Sequence, residues 1–268
     1  MIIDISHHEK VTSYALLKKN CPFVISKATE GTSYVDPTLN SFIKNCERVN
    51  LPYWLYSYLK KGNEISQAKF LVNTCKNKVG ENFVGYVLDV EDNNGVQDVL
   101  EALNWLEKQC KKCMLYIMFS QYEKYLPVIK EFGKNTVLWE ARYGKNDGIY
   151  RTDYPPHGRA CLHQYTDNGH CAGVKGLVDL NRLTGKKDME WFTTPMKKVN
   201  SSVKVSYYKA CSEKEDSFVD GLKSIKVDSS FKYREKIAKV NGIKDYEGTA
   251  FQNMKLLNLL KKGKLKKV

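Results

Sequence analysis

Eight short apolar runs, the first six of them linked largely by stretches of helical periodicity, leave few folds open to the first 195 residues. The runs cover residues 2–5, 23–27, 53–59, 83–91, 114–119, 136–140, 160–165 and, briefly, 177–180. They are rich in β-branched and aromatic residues and bounded by polar or glycine-containing turns, so each reads as a buried strand. Residues 38–49, 64–76, 96–108 and 121–132 carry apolar side chains three and four apart, the pattern of helices that bury one face. Strand-then-helix order implies parallel neighbours, and eight such strands close naturally into an α/β barrel of the TIM type. After Thr136 the pattern loosens, with Gly144, Gly148, Pro155, Pro156, Gly158, Gly169 and Gly173 crowding the connections. The second half of the barrel is therefore expected to be irregular and to lack proper helices.

Residues 193–202 show no apolar period and read as the end of this domain and a linker, which places a barrel at 1–195, a linker at 196–205 and a second module at 206–268. Three helix starts follow: Ser217 with Asp220, Ser230, and Thr249 with Gln252, the later two helices closed by Gly242 and Gly263. A three-helix module this small has a thin core and suits binding better than chemistry. Charge is unevenly placed. Of 43 Lys and Arg and 30 acids, residues 196–268 hold 18 and 8, which leaves only +3 of the net +13 for the first 195 residues. A compact basic module should favour a polyanion: nucleic acid, acidic membrane or anionic wall polymer.

Several function classes are disfavoured. No segment approaches eighteen uninterrupted apolar residues, so membrane insertion is not expected. Residues 1–4 enter a strand with no basic segment and apolar run before them, which predicts synthesis in the cytoplasm without a signal peptide. The eight cysteines lack a repeated pair spacing; Cys110 and Cys113 form a lone CxxC that offers only half a zinc site, and reduced, structural thiols are expected. Cys161 and Cys171 lie close enough in sequence to approach each other. His7, His8, His157, His163 and His170 show no metal-ligand spacing, and neither a phosphate loop nor a serine elbow is visible, so no cofactor or metal is expected.

The chemistry points to Asp89 and Glu91, which flank Val90 at the close of the fourth run. Side chains at i and i+2 of a strand share a face, about 6–7 Å apart along the chain, so both carboxylates should project from the C-terminal rim, where such barrels carry their active sites. Two acids in one partly desolvated space do not readily ionise together. A protonated acid beside a carboxylate is the equipment for breaking a glycosidic bond. An isolated Asp-x-Glu also serves as a helix cap or a solvated strand end, so the pair alone does not decide.

The surrounding residues add a resemblance. Ile3, Asp4, Ile5, Ser6 and His7; Ser26 to Gly31 with Tyr34, Val35 and Asp36; Asp89, Val90 and Glu91; Leu138, Trp139, Ala141 and Tyr143; Gln164, Tyr165 and Thr166; and Gly176 with Val178 to Asn181 follow in order through the domain. In these blocks the first 195 residues resemble glycoside hydrolase family 25, the lysozymes that cut peptidoglycan on the muramic acid side. One departure is Ser57, which stands in Trp54–Tyr58 where the family commonly has histidine. The tail is similar to short wall-attachment modules of clostridial phage lysins and autolysins, in Ile237, Ala238, Asn241, Gly242, Tyr246, Gly248, Thr249, Gln252, Asn253, Leu256 and Leu260 among others.

The resemblance implies a retaining N-acetylmuramidase, a bacteriolytic endolysin released to the wall with the help of a holin. Glu91 would be the general acid, protonated through the proximity of Asp89. Asp89 would either hold the substrate's 2-acetamido group as that attacks the anomeric carbon or act as nucleophile itself. Asp4 and Asp179 would flank the pair. Tyr56, Tyr58, Tyr116, Trp139 and Tyr143 would offer faces to sugar rings, with Gln164 and Lys27 as further contacts. Peptidoglycan is the expected partner, anionic wall polymers a further one through the basic module, and nucleic acid is not expected. A chitinase or endo-N-acetylglucosaminidase, or a non-catalytic wall or nucleic-acid binder, remains open at this point.

Overall fold

The eight strands are β1 (Ile2–Ile5), β2 (Val24–Glu30), β3 (Tyr53–Tyr58), β4 (Phe83–Val90), β5 (Cys113–Met118), β6 (Thr136–Ala141), β7 (Ala160–Gly169) and β8 (Val178–Leu183). They pair in succession, and β1 bonds to both β2 and β8, so the sheet closes on itself as a barrel. The computed structural model describes residues 1–110, 112–195, 206–243 and 245–268. The chain divides into two compact units, Met1–Lys197 and Lys198–Val268. The linker expected at 196–205 lies outside the described residues.

Strands β1 to β7 are parallel to their neighbours. The expectation of a wholly parallel sheet fails at β8, which runs antiparallel to both β7 and β1. The cause is chain length. Only residues 170–177 separate β7 from β8, whereas a parallel return needs a crossover of a dozen or more residues. Helices α1 (Tyr14–Asn20), α2 (Leu39–Arg48), α3 (Glu64–Cys75), α4 (Val96–Gln109) and α5 (Tyr122–Lys130) join the first six strands. As the glycine- and proline-rich connections imply, no helix joins β6 to β7 or β7 to β8; the next, α6 (Met189–Thr193), follows β8. The sequence reading missed α1. It has seven residues and one buried side chain, Leu17, too little for a period to show.

Strand alternation sorts the core into two layers. Leu55, Leu88, Leu115 and Leu138 pack outward against the helices. Trp54, Val87, Met114 and Val137 pack inward and fill the barrel. Phe192 of α6 plugs the end where the parallel strands begin. Its ring stacks on Phe23 at 5.5 Å, and its carbonyl accepts the Trp54 indole N–H at 3.0 Å. Burying such a ring contributes about 1.5–3 kcal/mol. With that end closed, the opposite rim is left for chemistry.

In the second unit Ser217, Ser230 and Thr249 cap α7 (Phe218–Ser224), α8 (Phe231–Val240) and α9 (Ala250–Lys261), each accepting the N–H three residues on. Its core gathers Phe218, Leu222, Ile237, Ala238, Tyr246, Leu256, Leu257, Leu260 and Leu265, so the apolar residues behind the tail's resemblance are largely packing residues. Cys171 faces Cys21 rather than Cys161, with the sulfurs 3.6 Å apart, and Cys110 and Cys113 lie 3.0 Å apart. Among the described residues no helix is long and apolar enough to cross a membrane.

Gly85 sits where β4 passes closest to Trp54. A Cβ there would meet the Trp54 ring at 2.5 Å and the Lys112 carbonyl as well. Neither neighbour can retreat, since the indole is fully buried. Gly85→Ala is expected to cost about 1–3 kcal/mol, measurable as a lower urea midpoint with an unchanged slope.

Candidate active site

The parallel strands end at one rim, and the reversal of β8 brings its beginning to the same place. Asp179, the second residue of β8, stands opposite Asp4 near the end of β1. In a parallel β8 it would lie at the plugged end. A cavity of about 370 Å³ opens on this rim and is lined by Asp4, Asp89, Glu91 and Asp179 together with Asp167. Its walls carry the rings of Tyr56, Tyr116, Trp139 and Tyr143, with Gln164 and Met118 between them.

Asp4 is the hub of the hydrogen bonding. Tyr116 and Tyr143 both donate to Gln164 Oε1, at 2.8 and 2.6 Å. That fixes the amide so that its Nε2 donates to both Asp4 oxygens, at 2.9 and 3.1 Å. From the other side Trp139 Nε1 donates to Asn181 Oδ1 at 2.7 Å, and Asn181 Nδ2 donates to Asp4 at 2.7 Å. Each of these linked side chains, from Tyr116, Tyr143 and Trp139 to Asp4, has a partner, as a buried network requires. Asp4 thus holds two aromatic walls in place while it sits in the cleft.

The acids are crowded, and their protonation follows from burial. Burial raises the Asp179 carboxyl, the neighbouring Asp4 raises it further, and together with Glu9 and Asp167 they push it up to about 10. Burial also raises Asp4, but donors from Asn181 and Gln164 oppose the rise. The proton of this pair therefore rests on Asp179. Asp89 is raised well above the usual carboxylate range by burial, then by Glu91 and Asp4, with Lys27 pulling the other way. Asp89 Oδ1 is buried without a protein hydrogen-bond partner among the described residues. Of the two acids Asp89 is buried and Glu91 exposed, so it is the Asp89 carboxyl that burial raises.

Two expected contacts stand outside the cavity lining. Lys27 is drawn to Glu30, 2.5 Å away, and its ammonium lies over the rings of Tyr34 and Tyr58 at 5.7 and 5.3 Å. Tyr58 is committed to that cluster, which Lys60 joins from 4.9 Å. Ser57 is fully buried and accepts from Thr29 Oγ1 at 2.9 Å. It is absent from the residues that line the cleft, so the departure at this position leaves the cleft lining untouched. Asp36 is structural: it accepts the His7 N–H at 3.0 Å and the Thr38 hydroxyl at 2.6 Å, tying the loop after β1 to the start of α2.

Sequence reasoning missed Asp167 and Asn181 as parts of the site. The register of β7 against β8 slips between Gln164 and Thr166, so a bulge brings Gln164 and Asp167 to the same cleft. A strict period of two cannot foresee that. Asn181 was legible only as part of a motif, because its partners come from β6 and β1.

Paired carboxylates at the C-terminal rim of an α/β barrel, walled by aromatic rings and open to solvent, are the equipment glycoside hydrolysis calls for. Residues 3–174 match the model of glycosyl hydrolases family 25, more than half of the chain, and the chain belongs to that family. The catalytic domain of an endolysin from bacteriophage P40 of Listeria monocytogenes is 26% identical, with a TM-score of 0.60 over 69% of this chain and 92% of that one. A glycosyl hydrolase 25 of Streptococcus pneumoniae that participates in host cell invasion shares the fold at 24% identity, with a TM-score of 0.61 over 73% of this chain and 92% of that one. The autolytic lysozyme of Clostridium acetobutylicum is 24% identical over 179 residues, 63% of this chain and 51% of that protein. The chain thus spans about half the length of the curated relative it matches.

The shared proton of Asp4 and Asp179 has a consequence for stability. A carboxyl whose native pKa is raised keeps its proton from about pH 4, where the unfolded chain loses it, up to about 10. Its contribution is fully present below the lower value and is lost as pH rises through the upper one. Asp179→Asn keeps a donor toward Asp4 and removes the titration. It should flatten the decline of stability from pH 5 to pH 9 and gain on the order of 1–2 kcal/mol at pH 8. Urea unfolding at several pH values checks this; a decline as steep as the parent's would place the proton elsewhere.

Proposed function

We propose that the chain is a peptidoglycan muramidase that cleaves the β-1,4 bond between N-acetylmuramic acid and N-acetylglucosamine with retention, acting as a bacteriolytic endolysin. The observation that carries this reading is the meeting of Asp89 and Glu91 in one open cleft with the family's other acids. Glu91, exposed at the rim, would reach a glycosidic oxygen. Asp89 Oδ1, buried and without a partner among the described residues, would accept a hydrogen bond from the N–H of a 2-acetamido group.

The two acids share one proton. In the open cleft burial keeps it on Asp89. When a sugar covers the rim, Glu91 loses water and Asp89 gains the acetamido donor, so the proton passes to Glu91. Glu91 gives it to the departing sugar oxygen while the acetamido oxygen closes on the anomeric carbon, and Asp89 balances the positive charge of the ring so formed. Glu91 then takes a proton from the water that opens this ring, and the starting configuration returns. Tyr56, Tyr116, Trp139 and Tyr143 would bound the sugar, and Asp4 with Gln164 and Asn181 would hold the last three. The basic second unit would keep the enzyme on the wall.

Glu91→Gln should lower turnover of purified peptidoglycan by at least about 10³-fold with the thermal midpoint nearly unchanged. Fragments released by the parent enzyme should carry muramic acid at the reducing end. Glucosamine at that end would replace the muramidase reading with a glucosaminidase, and an inverted anomeric product would exclude acetamido participation.

A further inference from the structure

We propose that the barrel unit carries a second binding site, for a linear phosphodiester polymer, at the end of the barrel opposite the cleft. A cavity of about 300 Å³ lies there among the beginnings of β6 and β7 and the chain that follows β8. Its lining includes Lys130, Lys134, Arg159, Lys186 and Lys187 and no Asp or Glu. Ile129, Val137 and Leu138 lie buried beneath them, with Phe132 half-buried.

This gathering is not a background of basic charge, because the first 195 residues hold only +3 of the chain's +13. The cations come from three separate connections, so no basic run in the sequence announces them. Among the described residues none of the five forms an ion pair. Of the acids nearest the lining, Glu131 is exposed between Lys130 and Phe132, and two others are bonded to backbone or hydroxyl groups. Glu107 accepts the Gly133 N–H at 3.3 Å and the Thr136 hydroxyl, and Asp188 caps α6 through the Trp191 N–H at 2.8 Å. Lys130 has a local account, since it ends α5 where the helix dipole favours a cation, and Lys187 lies 5.7 Å over the Trp191 ring. Lys134, Arg159 and Lys186 have no such account.

Like charges held around one hollow repel, and a polyanion relieves that repulsion as it displaces counterions. Five cations on three connections exceed what a single phosphate can engage, whereas a polymer with phosphates at intervals reaches several. The choice of a wall phosphodiester rests on the peptidoglycan reading above; the site itself does not.

The test uses the full chain and poly(glycerol phosphate) as probe, with lysine acetylation read by mass spectrometry. Lys130, Lys134, Lys186 and Lys187 should be protected at least threefold by the polymer, with Lys18 and Lys44 unprotected. The triple variant Lys134→Glu, Arg159→Glu, Lys186→Glu should lose at least tenfold of the affinity retained by a chain with its tail lysines neutralised. Hydrolysis of peptidoglycan stripped of phosphate polymers should be unchanged, so failure of the muramidase reading would register separately. Absence of protection, or equal affinity of the triple variant, overturns the site. Protection by inorganic phosphate at equal phosphate concentration, or tighter binding of duplex DNA at the same salt, overturns the polymer assignment.

Discussion

The antiparallel pairing of β8 with β1 is the constraint on which the cleft depends. It closes the barrel, and it inverts the direction of one strand so that Asp179 arrives beside Asp4 at the rim rather than at the plugged end. Asp4 in turn is held by Gln164 and Asn181, whose far sides hold Tyr116, Tyr143 and Trp139. Backbone register, hydrogen-bond network and cleft wall are thus one assembly. A shift of β8 by one residue would turn both Asp179 and Asn181 away from the cleft face and release the Trp139 wall that Asn181 holds.

Crowding carboxyls in a buried space is unfavourable for the fold, and protonation is how the fold tolerates it. The Asp4–Asp179 pair solves the problem by sharing one proton and by accepting amide donors, an arrangement that asks nothing of substrate. Asp89 has no comparable set of donors, and one of its oxygens remains unpartnered. In the proposed mechanism a substrate N–H would complete its bonding, and the carboxyl would respond to ligand for that reason.

The two ends of the barrel differ in kind. One is acidic, aromatic and open. The other is sealed by Phe192 and flanked by a hollow lined with cations. The two linings thus carry opposite kinds of titratable side chain. The separation follows from strand alternation and chain direction: C-terminal strand ends present the acids, and the loops at the N-terminal ends present lysines and Arg159.

Much of this was legible in the sequence, because strand and helix periods are local properties. The eight strands, the four longer barrel helices, the three capped helices of the tail and the Asp89–Glu91 pair each rest on residues within a few positions of one another. Helix α1 was too short to show a period, and Asp167 was hidden by a bulge. The direction of β8, the partners of Asn181, the pairing of Cys171 with Cys21, the diversion of Lys27 to Glu30 and the basic hollow all join residues distant along the chain. Burial decides protonation as well, and burial belongs to the folded whole. The chain by itself determined that Asp89 and Glu91 share a rim, because both lie within one strand end; only the tertiary structure decided that Asp167 and Asp179 join them and which of these acids is desolvated, because strand direction, the bulge and burial depend on residues far apart in sequence.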